Sequence, residues 1–329
     1  MVIYYGQLKR LDSGRTDTLV EIEVGPVEAG KRVHRLVRQL LPGVPLSGIY
    51  KMIRTGRVKR NGKKAKSEDV VQLGDTIRLY IAEADYEQVS KPVKKFAGVS
   101  TDIDVVYEDN EILIVNKPVG LLTHGAEGEY KDTLVNRVLA YLHSRNELQK
   151  SVFTPSPVNR LDRNTSGLVI FSKTGETTRT LAEEIRSHHV DKWYIALVKG
   201  PIRESGEIRT NLTRVNDART RVSRTGKESV TKYFPILSRG NTTLVRIQLV
   251  SGRTHQIRAH FSHIGHPLVG DVKYGGGSPV KEGNAIHQWL HAITIQLPDG
   301  REFHAPLPDA FVAKLRELGY SDKDLDKLH

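Results

Sequence analysis

The sequence contains no cysteine, and this absence excludes several kinds of chemistry at once. The protein can form no disulfide bond, use no thiol nucleophile and build no cysteine-ligated zinc or iron–sulfur site. It also has no apolar run near the roughly 20 residues that a membrane-spanning helix requires. Residues 1–10 lack the apolar stretch of a signal peptide. We therefore expect a cytoplasmic protein that does not associate with membranes.

Acidic residues are missing from one stretch of the chain, residues 31–66, which holds twelve of the 50 lysines and arginines. The formal net charge of the chain is +12, and the 38 basic residues elsewhere equal the 38 acidic residues. The excess positive charge therefore lies entirely in this segment, which is typical of a surface that binds a polyanion. A solvated basic tract would carry the same charge, but this segment also has the apolar periodicity of a folded unit.

Residues 30–82 carry the pattern of a small folded module. A first helix is expected from apolar residues spaced three and four apart, namely Val33, Leu36, Val37, Leu40 and Leu41. A second helix is expected from Ser47, whose hydroxyl could cap it. The dipeptide Asn61-Gly62 then predicts a hairpin, and residues 76–81 predict an alternating strand.

Two basic helices that lead into a glycine-turned hairpin are similar to the S4 RNA-binding module. That resemblance implies that cations on the module contact RNA phosphates, and the residues expected to do so are Arg35, Arg38, Lys51, Arg54, Arg57, Lys59 and Arg60. The alternative is an ordinary small α/β domain whose cations only solubilise it. We expect this domain, with its N-terminal extension, to span residues 1–84, a linker to span 85–101 and a larger domain to span 102–329.

The larger domain alternates short strands with amphipathic helices. Strands are expected in residues 105–107, 112–115, 168–171, 192–199, 230–237, 243–250, 290–297 and 302–306. Helices are expected in residues 133–143, 177–188 and 308–318, and another after Thr254, which could cap it. We interpret Lys117-Pro118-Val119-Gly120 as a structural turn, because proline and glycine restrict its backbone.

One acid, Asp162, stands between Arg160 and Arg163, directly before a polar turn and the short apolar strand 168–171. Cations on both sides favour the charged form of a carboxylate. An ionised aspartate with an open face can act as a nucleophile or as a general base. The residue types alone are equally those of an ordinary turn, since Asn, Thr, Ser and Gly are common turn residues.

The order Arg160-Leu161-Asp162, then Thr165-Ser166-Gly167, resembles the R-L-D-x-x-T-S-G motif of the RluA-type pseudouridine synthases. Two further blocks, residues 192–200 and 251–258, match the same family in the same order, as does the KPxG pattern at 117–120. The resemblance implies an α+β fold in which helices flank a mixed, mainly antiparallel central sheet. It also implies isomerisation of uridine to pseudouridine in RNA without a cofactor, ATP or a metal ion.

The resemblance implies a role for four residues. Asp162 would act beside the sugar, either by attack at C1′ or by removal of a sugar proton. Arg253 would pair with Asp162, and Arg160 would fill the gap that a flipped uridine leaves in the RNA. Tyr194 would stack on the base or bond to it; the alternative is a core tyrosine. A metal site at His255, Arg258 and His260 is rejected because it lacks carboxylates.

One residue departs from the family pattern, since Asn159 stands where the family usually has histidine. We expect the active site to tolerate this change because asparagine also forms hydrogen bonds. The resemblance favours large-subunit (23S) ribosomal RNA as the substrate, with transfer RNA as the alternative, and a monomer without an obligate protein partner. The rival functions are an inactive ribosome-associated RNA-binding protein and a glycoside hydrolase, which usually needs two carboxylates.

Overall fold

The computed structural model describes residues 9–11, 18–26, 28–81, 96–126, 128–148, 153–215, 219–278, 280–282 and 285–326. These residues form two compact units, the first built from residues up to Ala97 and the second from Gly98 onwards. Most of the expected linker, residues 85–101, lies outside the described residues. Within the described ranges, no helix combines the length and the apolar character needed to cross a membrane.

The first unit is an antiparallel sheet covered by two helices. Its elements are β1 (Lys9–Leu11), β2 (Thr18–Glu23), α1 (Val33–Leu40), α2 (Leu46–Arg54), β3 (Val58–Arg60), β4 (Lys63–Lys64) and β5 (Thr76–Ile81). The strands lie in the order β1-β2-β5-β3-β4. Apolar residues of both helices, among them Leu36, Val37, Ile49 and Ile53, are buried in one core with the sheet.

The expected hairpin of this unit is confirmed. Asn61 and Gly62 join β3 to β4 with φ angles of 50° and 80°, a conformation that these two residue types tolerate well. The expected cap by Ser47 is wrong. Helix α2 begins at Leu46, so Pro45 occupies the N-cap, two residues before Ser47, and the N-cap makes no side-chain hydrogen bond. Proline suits this place because its φ angle is already close to that of a helix.

The second unit is built on a large mixed sheet. Its strands are β6 (Asp104–Glu108), β7 (Ile112–Lys117), β8 (Ser156–Pro157), β9 (Ser166–Ser172), β10 (Asp191–Lys199), β11 (Gly206–Arg214), β12 (Thr220–Val222), β13 (Lys227–Arg239), β14 (Thr242–Leu249), β17 (Leu290–Gln296) and β18 (Glu302–His304). A separate antiparallel pair consists of β15 (Val280–Glu282) and β16 (Ala285–His287). The helices are α3 (Leu134–Ser144), α4 (Gly175–Arg186), α5 (Gln256–His263), α6 (Asp309–Glu317) and α7 (Asp322–Leu325), with a 3₁₀ turn at Val272–Tyr274.

The main sheet has the order β12-β11-β13-β14-β10-β17-β9-β7-β6, and its strands are antiparallel except for the parallel pair β17 and β9. The expected alternation along β10 is confirmed. Tyr194, Ala196 and Val198 join the core on one face of the sheet. Ile195 and Leu197 join a second core, which packs against α6 on the other face. The fold is therefore α+β, with a mainly antiparallel sheet between helices.

The parallel pair brings β9 against β17 at the centre of the sheet. Gly167 lies opposite Ala292, and a Cβ atom on Gly167 would lie 2.2 Å from the Ala292 carbonyl oxygen. One residue earlier, Ser166 Oγ is 2.9 Å from His291 Nδ1, and both residues are buried. The turn that carries Asp162 is thus anchored directly to the middle of the sheet.

Candidate active site

Asp162 lies in a tight turn between β8 and β9, as expected from the sequence. The Thr165 backbone N–H donates to the Asp162 carbonyl at 3.1 Å and closes the turn. The buried hydroxyl of Thr123 donates to the Leu161 carbonyl at 2.8 Å and accepts from the Leu161 N–H at 3.2 Å. Gln288 donates to the Thr165 hydroxyl from the strand side. These contacts position the Asp162 backbone independently of any substrate.

The cation that pairs with Asp162 is Arg258, in the first turn of α5. Its Nη1 donates to Asp162 Oδ2 at 2.9 Å. Its Nε and Nη2 bind both oxygens of Asp271, at 2.7 Å and 2.9 Å. Burial alone would lower the pKa of Arg258, but the hydrogen bonds and charges of Asp271 and Asp162 raise it above its ordinary value. Arg258 is therefore a fixed cation with two carboxylate partners.

The expected pair between Arg253 and Asp162 is wrong. Arg253 is exposed, and its Nε donates to the Glu228 carbonyl at 3.3 Å, although the residue still lines a small cavity of about 60 Å³ beside Asp162. Arg253 precedes α5, whereas Arg258 lies on the helix face that packs on the sheet. The sequence contained one indication that Arg258 is the more buried of the two arginines, because it lies between the apolar residues Ile257 and Ala259.

The two arginines next to Asp162 in the sequence do not form its ion pair. Arg163 binds Glu129 through both terminal nitrogens, at 3.1 Å and 2.7 Å. Arg160 is exposed and lines two cavities that also contain Asp162. The partner of the carboxylate therefore comes from another element, since Arg258 reaches Asp162 from α5.

Tyr194 lies beside Asp162 at the base of the small cavity. Only 5% of the residue is exposed, and its ring belongs to the apolar core. Burial, together with the charge of Asp162, raises the pKa of the Tyr194 hydroxyl above its ordinary value, so the group is a neutral donor. Among the described residues, no hydrogen bond reaches this hydroxyl, which leaves it available to a ligand.

Lys117 is part of the site although its motif was interpreted only as a turn. It is fully buried, and its Nζ donates to the carbonyls of Pro118 and Leu121 at 2.8 Å and of Arg163 at 3.0 Å. Burial lowers the pKa of Lys117 to about 7, while the nearby charge of Asp162 opposes that shift. Lys117 thus crosslinks the end of β7 to the turn that carries Asp162.

His255 and Gln256 were expected to form structural hydrogen bonds. Gln256 does so, since its buried amide accepts from Ser251 and donates to the Val230 carbonyl. His255 differs, because its Nε2 is 3.7 Å from Asp162 Oδ2 and its Nδ1 is 3.0 Å from the Tyr274 hydroxyl. The expected capping of α5 by Thr254 is wrong, since His255 itself occupies the N-cap position.

The side chain of Asn159 bonds to the backbone of β9. Its Oδ1 accepts from the Ile170 N–H at 2.8 Å, and its Nδ2 donates to the Leu168 carbonyl at 3.2 Å. The side chain thereby continues the pairing of the segment before Asp162 with the buried strand. This contact explains physically how asparagine can serve at a position where the family usually has histidine.

A cleft of about 580 Å³ opens in front of Asp162. The cations and imidazoles that line it are His124, Arg160, Arg163, Arg214, His255 and Lys273. Asp271 also lines the cleft, but both of its oxygens are bound by Arg258. The cleft therefore combines the Asp162 carboxylate with a cationic rim, which suits a ribose and its phosphates. It does not offer the two free carboxylates that most glycoside hydrolases use.

The cations of the first unit fall into two groups. Arg35, Arg38, Lys51, Arg54 and Arg57 are exposed. Arg60 is half-buried, and its Nε donates to Asp75 at 2.6 Å, while Lys59 lies 5.0 Å from the centroid of the Tyr80 ring. The exposed cations are accessible to a polyanion in solution, whereas Arg60 stabilises the hairpin.

Comparison with known proteins places both units in described families. The model of the RNA pseudouridylate synthase family matches residues 111–263, and that of the S4 domain matches residues 31–77. Ribosomal large subunit pseudouridine synthase C of Escherichia coli O157:H7 is 35% identical over 309 residues, which cover 88% of this chain and 94% of that protein. The uncharacterised RNA pseudouridine synthase YlyB of Bacillus subtilis (strain 168) is 31% identical over 91% of this chain and 98% of its own length.

Among solved structures, human RNA pseudouridylate synthase domain containing 4 has a similar fold. It aligns with a TM-score of 0.55 at 23% identity and covers 65% of this chain and 92% of its own. At that identity the likeness concerns the fold alone. The sequence relatives, by contrast, match over most of both chains. The range matched by the family model contains Asp162, Tyr194 and Arg258.

Proposed function

The chain belongs to the RNA pseudouridine synthase family and carries an S4 domain, and from that premise we propose that it isomerises uridines of large-subunit ribosomal RNA. The relatives named for the ribosomal large subunit support this choice of substrate, since they are 34–35% identical over 75–88% of the chain. The observation that carries the mechanism is the ion pair between Asp162 and Arg258 at the base of a cationic cleft.

In this proposal Asp162 acts through one of its two oxygens. Arg258 and His255 both approach Oδ2, and no hydrogen bond within the described part of the chain reaches Oδ1. Oδ1 then either attacks C1′ of the uridine or removes a proton from the sugar. On the first route the bond from Oδ1 to C1′ forms as the C1′–N1 bond breaks, and it breaks again when C5 of the turned uracil bonds to C1′. On the second route Asp162 holds the sugar proton while the C1′–N1 bond breaks and returns it when C5 bonds to C1′. On both routes C5 finally loses its proton and N1 gains one. The anion of the detached base is balanced by the fixed cation Arg258.

Tyr194 and Arg160 contribute to binding of the flipped nucleotide. The hydroxyl of Tyr194 is a neutral donor beside Asp162, where it can bond to the uracil while its ring contacts the base. Arg160 is exposed at the edge of the cleft, where it can enter the space left in the RNA by the flipped uridine. The first unit supplies phosphate contacts that depend on charge and not on RNA sequence.

We also propose that one copy of the chain is sufficient for activity. The second unit of one chain contains all four of the groups involved, which are Asp162, Arg258, Asp271 and Tyr194. A monomer without an obligate protein partner would therefore contain every group that the mechanism uses. A concentration series checks this point, because the specific activity of a monomer does not change as the protein is diluted.

The deciding experiment follows tritium released from uracil C5 in ribosomal RNA and, separately, in transfer RNA. Wild type should release tritium from ribosomal RNA, and Asp162→Asn should release none while it still binds. Asp309→Asn, an exposed aspartate on α6, is the matched control and should behave as wild type. Release from transfer RNA alone would show that transfer RNA, and not ribosomal RNA, is the substrate. Binding without release from either RNA would favour a binding protein, and turnover by Asp162→Asn would remove Asp162 from the mechanism.

A further inference from the structure

His255 has a backbone conformation that is unusual for its place. It stands before α5 with φ of 53° and ψ of 22°, in the left-handed region that residues with a Cβ rarely adopt. Its side chain makes no capping bond to the helix. The imidazole lies instead beside Asp162, with Nε2 at 3.7 Å from Oδ2. Strained backbone of this kind is concentrated at functional sites.

The hydrogen bonds around His255 define its tautomer. The Tyr274 hydroxyl already accepts from the Thr220 N–H at 2.8 Å, so its own proton is available to donate to His255 Nδ1 at 3.0 Å. A neutral imidazole that accepts at Nδ1 carries its proton on Nε2. The other tautomer would place the Nε2 lone pair against the Asp162 carboxylate. Both arguments lead to an Nε2–H group that faces Oδ2.

Tyr274 supports both of the groups that approach Asp162. The edge of the His255 imidazole meets the Tyr274 ring with centroids 5.7 Å apart and planes at 87°. The guanidinium of Arg258 lies over the same ring, 4.9 Å from its centroid. The adjacent Asp271 holds the other two donors of Arg258. The short turn 271–274 thus organises two donors toward one carboxylate oxygen.

We propose that His255 is a positioning residue for Asp162. Its Nε2–H, oriented by Tyr274, keeps Oδ2 turned toward Arg258, so that Oδ1 is the oxygen presented to the uridine. The inference rests on the role proposed for Asp162. It assigns to His255 no contact with the RNA and no proton transfer, and so it separates this residue from Tyr194 and from the cations of the cleft.

A pH dependence follows from this arrangement. The charged groups around His255 are Asp162 and Asp271, which favour its protonation, and Arg258 and Lys273, which oppose it; burial has the largest effect and lowers the pKa of His255 below its ordinary value. Protonation would put a hydrogen on Nδ1, which then could no longer accept from Tyr274. Catalysis should therefore fall as the pH drops through the pKa of His255.

The test compares His255→Gln, His255→Ala and Tyr274→Phe in the full chain, with His263→Gln as the control on the exposed end of the same helix. Single-turnover tritium release gives the rate constant, and filter binding gives the Kd for the RNA. His255→Ala should slow the rate constant between about tenfold and a hundredfold, because small misplacements of reacting groups have effects of that size. Its Kd should stay unchanged.

His255→Gln separates positioning from packing, because its amide nitrogen can replace Nε2 as a donor but cannot titrate. It should keep most of the rate and lose the fall that wild type shows as the pH drops below the ordinary histidine pKa of about 6.5. The rate constant of Tyr274→Phe should lie between those of wild type and His255→Ala. Thermal unfolding of each variant shows whether the fold is retained.

Three results would overturn the proposal. One is a wild-type rate constant in His255→Ala. Another is a weakened Kd with an unchanged rate, which would make His255 an RNA contact. The third is a His255→Gln variant as slow as His255→Ala at every pH with a lowered melting temperature, which would make the residue structural. The proposed function stands through all three as long as wild type turns over and Asp162→Asn does not.

Discussion

Arg258 bonds Asp162 with one nitrogen and Asp271 with the other two. The arginine is 8% exposed and Asp271 is 2% exposed, so the pair to Asp271 is buried, while Asp162 retains access to the cleft. A single guanidinium thereby connects a buried carboxylate to one that faces the cleft. Its planar donors suit two carboxylates in different directions, which a lysine ammonium on a flexible chain does not match.

Arg258→Lys should therefore lose activity while Arg253→Lys should not. We expect the single-turnover rate of Arg258→Lys to fall at least about a hundredfold, because the Asp162 carboxylate loses its fixed orientation. Arg253→Lys should keep the wild-type rate constant, since within the described ranges the Arg253 side chain bonds only the Glu228 carbonyl, and lysine keeps its charge. Equal losses in the two variants would contradict the assignment of the ion pair to Arg258.

The loss of stability caused by Lys117→Met should increase as the pH rises. The folded-state pKa of Lys117 is lowered to about 7, below the unfolded value. Between those two values the unfolded chain binds the proton more strongly, so the free energy of unfolding of wild type rises with pH. The methionine variant lacks this group. The difference in unfolding free energy should grow by up to about 1.4 kcal/mol per pH unit above pH 7.

Urea denaturation of wild type and Lys117→Met at a series of pH values measures that difference. Lys173→Met is a useful comparison, because Lys173 bonds two glutamates and its pKa is raised instead. A constant or shrinking difference for Lys117→Met would show that Lys117 keeps its proton throughout. The variant should also be less stable at neutral pH, since three carbonyls lose their donor, at about 1–3 kcal/mol for each buried group left unpaired.

Gly167→Ala should destabilise the second unit strongly. Its Cβ would overlap the Ala292 backbone, and the residue has a φ of 110°. Gly300→Ala is the matched control, with a φ of 88° and open space around its Cβ. The control should lose about 1–2 kcal/mol from backbone strain alone. Gly167→Ala should lose several kcal/mol more, since overpacking adds about 1–3 kcal/mol even where backbone can shift. Equal losses in thermal denaturation would contradict a close approach of β9 and β17.

The exposed cations of the first unit should contribute to RNA affinity through phosphates. Arg54→Ala should weaken binding to ribosomal and unrelated RNA alike and lower the slope of log K against log salt by about 0.7–0.9. The comparison is Arg60→Ala, which removes the cation that bonds buried Asp75 and leaves its bonds from Asn61 and Gln72. That variant should lower the melting temperature more than the salt slope. An unchanged slope in Arg54→Ala would place the phosphate contacts elsewhere.

Local patterns in the sequence were enough to locate most elements and the turn that carries Asp162. The alternation along β10, the buried strand after Asp162 and the hairpin at Asn61-Gly62 depend on neighbours within a few residues. The two expected helix caps were wrong for a related reason. A serine or threonine near a helix start indicates a boundary, but the packing of the helix decides which residue occupies the N-cap.

The sequence by itself located most of the strands and the turn of this protein, because those features follow from the spacing of residues along the chain, and its motifs identified the family by resemblance. Only the tertiary structure decided that Arg258 and not Arg253 pairs with Asp162, and that Lys117 and His255 belong to the same site. Arg258 lies 96 positions from Asp162 and Lys117 crosslinks to Arg163 46 positions away. The physical reason is that contacts over such separations depend on how helices and strands pack, and on which side chains that packing buries.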